Sequence, residues 1–300
     1  MWTKLQIFGF RALWSPYFLL FVIALSLLYY LITGPLRHKF GGSNQSVPTG
    51  KQQFSFYLGM LTLYLVKGAP VDLLSHISLL AHMIQMALFY LLFPILIIRG
   101  IPGWIWRKVF NIKVLKPILN LFTKPLIAIF LFNFLFSIYH LPDILDFSKT
   151  SATAHSIISI VILFAAFCMW WPLITPLEEQ QRIKPLFKIF YIFANGVLIT
   201  PACGLIIFAP ESLYETYSNM EAWSNALSLC VPFDVLSGLN TTAFNGPEFF
   251  TDMSLLHDQQ AGGILMKVMQ EIIYGIVLGK VFFSWYRKEN RDIDPIPNQS

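Results

Sequence analysis

The chain has 300 residues, of which 56% are hydrophobic and only 12% charged, with a mean hydropathy of +0.61. Charged residues make up roughly a quarter of an ordinary soluble domain, so this composition excludes a soluble globule and indicates a polytopic membrane protein. The net charge of +5 and the pI near 9.0 do not point to nucleic acid, because the basic residues sit in short connections between apolar segments and form no aromatic-interleaved binding face.

A membrane-crossing helix needs about 20 mainly apolar residues, and seven segments come close to it: 14–33, 53–69, 73–98, 124–141, 155–175, 186–208 and 262–285. The first is too long for a signal-peptide core and no small-residue cleavage site follows, so it reads as a retained helix. The second is the shortest and carries Lys67. Of the 21 Lys and Arg residues, 15 fall in the connections 34–52, 99–124 and 176–188 and in the tail, against Lys4, Arg11, Lys67 and Lys149 on the other side. Short cytoplasmic loops carry the excess of Lys and Arg, which predicts an external N-terminus and a cytoplasmic C-terminus. The fold class is therefore all-α, a polytopic integral membrane protein of seven transmembrane helices forming one domain over residues 1–288.

The connection 209–261 has no Lys or Arg but contains Glu211, Glu215, Glu221, Asp234, Glu248, Asp252 and Asp258, as an external loop would. Within it 211–229 is a candidate surface helix, and 240–247 reads as turn. The polar residues 289–300, with two prolines, are expected to be a disordered cytoplasmic tail. The basic connection 99–124 is a candidate amphipathic segment on the inner leaflet, and Trp170 and Trp171 before Pro172 fit an aromatic anchor at the cytoplasmic interface.

This threading carries five of the six histidines, His76, His82, His140, His155 and His257, to the external side. On a continuous third helix Asp72, His76, Met83 and Met86 share a stripe bordered by His82, with His82 about 9 Å deeper than His76. Imidazole is a common ligand of transition metals, and thioether sulfur adds a preference for Cu(I). A pair of histidines on facing helices is also what haem requires, which makes haem the competitor to copper. The plain alternatives are interfacial packing for His140 and His155 and core packing for the methionines. His82 lies at depth, where an ionisable side chain marks a functional candidate. Carboxylates commonly fix the free N–H of a ligating imidazole, which gives Asp72 a supporting role toward His76.

In the last helix Lys267 and Glu271 are spaced i, i+4, as an internal ion pair would be. Asn133 and Asn195 are candidates for a hydrogen bond between helices. Cys168, Cys203 and Cys230 form no C-x-x-C pair, and Cys168 and Cys203 read as small buried hydrophobes. There is no Gly-rich phosphate loop, no H-E-x-x-H and no G-x-S-x-G, so the sequence offers nothing to a hydrolase or a nucleotide-driven machine, and the chain is read as a protein other than an enzyme.

The strings AHMIQM (81–86), SIYHLP (137–142), MWWPL (169–173) and HDQQAGG (257–263), in this order along seven helices, resemble the CtaG family of caa(3)-type cytochrome c oxidase assembly factors. Many members of that family read His-Met-x-Gln-His where this chain has His82, Met83, Ile84, Gln85 and Met86, and Lys267 replaces a Trp often found after the GG-containing string. The resemblance implies a role in maturing the terminal oxidase in the plasma membrane of a Gram-positive bacterium, at the copper-insertion stage, with oxidase subunits and the lipid bilayer as partners. On this reading His76, His82, Met83 and Met86 capture copper, and His140, His155 and His257 complete or gate the site. The rival readings are a membrane copper transporter and a haem-binding membrane oxidoreductase. The transporter would need donors continuing inward, where residues 91–98 are all apolar.

Overall fold

The computed structural model describes residues 2–42, 47–239, 249–251 and 253–293, and those residues form helices with no strand among them. Five helices are long and apolar enough to cross a membrane: Thr3–Thr33, Leu79–Gly100, Ala152–Ile174, Pro185–Ile207 and Leu255–Arg287. Two bent pairs, Gly50–Lys67 with Pro70–Ile77 at 40° and Leu115–Phe122 with Pro125–Tyr139 at 84°, raise the number to seven when each is one span.

The first span has its main helix, α1, at Pro16–Thr33, entered through Ser15 in a left-handed conformation with φ of 35°. The second, α2 (Gly50–Lys67), starts at a capping box in which Thr49 and Gln52 satisfy each other's backbone N–H. Helix α3 (Pro70–Ile77) follows with proline at its first turn, where the missing N–H costs nothing. Then comes α4 (Leu79–Met86), which runs through a π-helical stretch, Ala87–Leu92, into α5 (Phe93–Gly100). Pro94 explains that stretch, because it removes an N–H and its ring would clash with the carbonyl of Tyr90 in a regular helix.

The third segment is thus not the single helix 73–98 expected from the sequence. It breaks at Ser78, whose backbone is extended, and residues 70–77 go with the second span. No proline or glycine lies between Pro70 and Pro94, so the break has a distant cause. Asp258 supplies it from 180 residues away. Its carboxylate accepts the Ser78 hydroxyl at 2.6 Å and the amides of Leu79 and Leu80 at 2.8 and 3.3 Å. Ser78 also accepts from the amide of Ala81. Together they cap the first turn of α4, whose amides a continuous helix would have paired with its own carbonyls.

Asp258 belongs to the last helix, here α16, which runs over Leu255–Ile293 and begins seven residues before the predicted start. The HDQQAGG string is its docking face. Gln259 accepts from the Leu213 amide and donates to the Ile206 carbonyl, and Gln260 donates to the Ala209 carbonyl. A Cβ on Gly262 would sit 3.0 Å from the Leu80 Cα, so the small residue admits the close approach that the Asp258 cap needs. Residues 289–293, expected to be disordered, prolong this helix by adding to a ladder already nucleated; 294–300 lie outside the described residues.

Between these come α6 (Gly103–Asn111), α7 (Leu115–Phe122), α8 (Pro125–Tyr139), α9 (Pro142–Ser148), α10 (Ala152–Ile174), α11 (Pro185–Leu198) and α12 (Thr200–Ile207). The α7 helix buries no residue, and its bend of 84° against α8 lays it across the direction of the spans. Trp170 and Trp171 do not serve as interfacial anchors. They are 1% and 3% exposed, with Trp171 packed on Trp106 and Phe110 of α6 and Trp170 edge-on to Tyr274; the helix connection 99–124 folds over the interface they were expected to occupy. Asn133 donates to Asn195 at 2.8 Å, tying α8 to α11.

The stretch 211–229 forms two short helices, α13 (Glu215–Ser218) and α14 (Met220–Leu227), rather than one, and α15 (Phe233–Leu239) follows them. Tyr214, Tyr217 and Trp223 are buried under them, so this loop is packed onto the bundle. The turn expected at 240–247 lies outside the described residues.

Asp258→Ala leaves the Ser78 hydroxyl and two amides without their acceptor in a buried site, and should cost about 3 kcal/mol or more. Asp258→Asn keeps one acceptor oxygen and should lose less. Thermal unfolding in detergent that ranks wild type, Asn, then Ala would agree; an unchanged Tm for Asp258→Ala would contradict the capping role.

Candidate functional site

The broken span, the end of α8 and the start of α10 bring together four of the five histidines that the sequence expects on the external side. His82 and His140 are 0% exposed, with ring centroids 6.2 Å apart, and His76 and His155 pair at 5.7 Å. Each ring has a buried nitrogen with no hydrogen-bond partner: Nε2 of His76 and His140, Nδ1 of His82 and His155. His257 is not part of this group. It is exposed, and the adjacent Asp258 faces inward in its place.

Two of the rings are oriented by backbone. His76 Nδ1 bonds the Asp72 carbonyl at 2.9 Å and His140 Nδ1 bonds the Phe136 carbonyl at 2.7 Å. Since a carbonyl only accepts, Nδ1 carries the proton, and a neutral ring keeps its lone pair at Nε2. Asp72 therefore supports His76 through its main chain. Its carboxylate instead accepts Gln85 Nε2 at 2.7 Å and lies 3.9 Å from the Lys67 amine. Gln85 also donates to the Val66 carbonyl at 2.6 Å, so this one amide joins α4 to α2 and α3. His82 Nε2 lies 3.5 Å from the Tyr139 hydroxyl.

Met83 and Met86 are 1% and 0% exposed within the main hydrophobic cluster. They flank the histidines along α4, Met83 beside His82 in sequence and Met86 one turn further on, but the stripe that joined them to Asp72 and His76 is interrupted at Ser78. Lys267 and Glu271 lie elsewhere, 2.7 Å apart on α16, with Lys267 also donating to Gln270, Thr200 and the Gly196 carbonyl.

Among the described residues no three His, Cys, Asp or Glu side chains converge as a closed metal site. Pairs are what the fold supplies. Two metal–nitrogen bonds of about 2.0 Å and two ring radii add to roughly 6 Å between centroids, comparable with both separations. A two-donor imidazole pair fits Cu(I) better than an ion that demands four donors. The pairs also differ in access. His76 and His155, with Lys67 and Asp72, line a cleft of about 360 Å³ whose wall also includes Phe18, Phe21 and Ile160, whereas His82 and His140 do not reach it.

The acidic loop closes the other side. Tyr214 donates to the His140 carbonyl and Tyr217 to the Ser75 carbonyl, both at 2.8 Å. Burial pushes both phenols up, so they stay donors throughout the physiological range. Asp146 holds the loop by accepting the amides of Glu215 and Thr216. Burial likewise pushes the Cys230 thiol up, away from the thiolate that soft metals take.

Sequence reasoning missed Lys149, Gln85, Asp258 and the two tyrosines. Asp258 sits inside the HDQQAGG string beside an imidazole that looks the better ligand, and nothing in the sequence around Lys149 marks it as buried. It is 2% exposed, and its amine has no hydrogen-bond partner. Burial, with the Lys67 charge adding to it, pushes that amine down to about 7 against the pull of Asp72. Between about 7 and 10.5 the unfolded chain binds a proton that the folded one does not, so stability rises with pH across that window. Lys149→Met should raise the Tm at pH 7 and flatten its increase from pH 7 to 9. The same pH slope in both proteins would contradict this.

Residues 27–288 match the family model described as cytochrome c oxidase caa3 assembly factor. No curated protein and no solved structure matches the chain. With a match over most of its length and the seven spans that the bent pairs allow, the chain belongs to the cytochrome c oxidase caa3 assembly factor family.

Proposed function

We propose that this assembly factor takes up copper(I) as cargo at the external face of the plasma membrane of a Gram-positive bacterium and hands it to an oxidase subunit, without itself catalysing a reaction. The observation that carries the reading is the set of four buried, unpartnered nitrogens on two pairs of neighbouring imidazoles, because an unpaired polar atom in an apolar interior is costly unless something occupies it. The His76–His155 pair, reached through the cleft, is the entry point; the sealed His82–His140 pair, with Met83 and Met86 alongside, is the deeper one. The orientation that places them outside rests on the distribution of Lys and Arg. Residues 91–98 continue inward without a donor side chain, which favours capture and handover over transport.

The first test is Cu(I) content and affinity of the detergent-purified protein. His82→Ala and His140→Ala should each weaken binding at least ten-fold, His257→Ala should not, and no haem absorption should accompany the copper. No copper in the wild type, or equal binding in His82→Ala, would overturn the site. A deletion strain whose oxidase keeps its full copper content would overturn the role in copper insertion while leaving membership of the assembly family intact.

A further inference from the structure

The end of the bundle opposite the histidines contains two adjoining clefts that share Arg99 and Lys280. One, of about 370 Å³, lies between α2, α5 and α16, with Lys51 at its polar end and an apolar wall that includes Ile95 and Ile276. The other, of about 320 Å³, lies between α10, α11 and α16 and adds Lys188 and Trp285. Four cations therefore rim one continuous region. Neither lining contains an Asp or Glu.

Among the described residues, Lys51, Arg99 and Lys280 enter no ion pair, and Lys188 is held only by the Leu173 carbonyl at 3.0 Å. Arg99 in the last turn of α5 complements that helix's C-terminal dipole, which accounts for one of the charges but not for four. Cations gathered at a span's end without a counter-charge call for an anion. The lining combines cations with an apolar wall, and the second cleft adds Trp285, of the residue type enriched where headgroups meet chains. That is the polarity profile of a lipid, and basic pockets between spans on the cytoplasmic side bind anionic headgroups.

We propose that this region is a binding site for an anionic phospholipid, its phosphate held by Arg99 and Lys280 and an acyl chain lying along Ile95 and Ile276. Lys51 and Lys188 flank the headgroup from either side. A free phosphate would satisfy the cations but leave the apolar wall unfilled, so the site selects the lipid.

The test is thermal unfolding of the delipidated full chain in a neutral detergent, titrated separately with phosphatidylglycerol, phosphatidylcholine and inorganic phosphate. Phosphatidylglycerol should bind at least ten-fold tighter than phosphatidylcholine, and phosphate should not reproduce the stabilisation. The exposed Lys280→Gln alone should reduce that preference several-fold, and the Arg99→Gln, Lys280→Gln pair should abolish it. Lys113→Gln with Lys116→Gln, which removes equal charge beside and within α7, should preserve it. Equal preference in the wild type and in Lys280→Gln, equal stabilisation by phosphate alone, or loss of preference in the α7 pair would each overturn the proposal. Copper binding is measured independently, so failure here leaves that reading untouched.

Discussion

The Asp258 carboxylate holds this architecture at its most vulnerable point. A helix interrupted inside an apolar environment exposes backbone amides that neither water nor lipid can satisfy, and the interruption at Ser78 survives because Asp258 and the Ser78 hydroxyl take those amides over. An anion at a helix N-terminus is further favoured by the macrodipole. Without the break, His76 and His82 would be fixed on a single rod. With it, α3 turns His76 toward His155 while α4 points His82 at Tyr139 and His140.

Around that anchor the polar interior is organised by links made once each. Gln85 joins Asp72 to the end of α2, Asn133 joins α8 to α11, and two tyrosine hydroxyls tie the acidic loop to the ends of α3 and α8. Hydrogen bonds between spans are individually modest, on the order of 1 kcal/mol. Their value lies in direction, since each fixes the rotation of one helix against another and thereby which way an imidazole looks. The remaining packing comes from the large cluster around α4, α5 and α10, which sets distance but not bearing.

Much of the fold was legible in the sequence because apolar length and basic loops are properties of a segment by itself. Seven regions stood out, and seven result when the bent pairs are counted as single spans. What stayed hidden depends on residues far apart. Nothing between Pro70 and Pro94 announces a break; its cause lies in the last helix. Trp170 and Trp171 carry an interfacial signature, but Trp171 is covered by α6 and Trp170 packs on Tyr274 of α16, which a reading of α10 alone could not show. The histidines were identifiable as a set, yet their division into two pairs, and the position of His257 outside both, follow from helix rotation. Lys149 had no signal as a buried group because its burial is made by neighbours from other elements.

The difference in access between the two histidine pairs has a kinetic meaning. An ion bound by His76 and His155 faces a cleft that is open to its surroundings, so its residence time would be set by the strength of its own bonds. One bound by His82 and His140 would lie beneath Tyr214, which grips the His140 main chain, and its departure would wait on the opening of that cover. On the copper handover proposed above, a partner that competes for Tyr214 would shorten the wait without touching the ion, and the timing of delivery would belong to the recipient and not to the carrier.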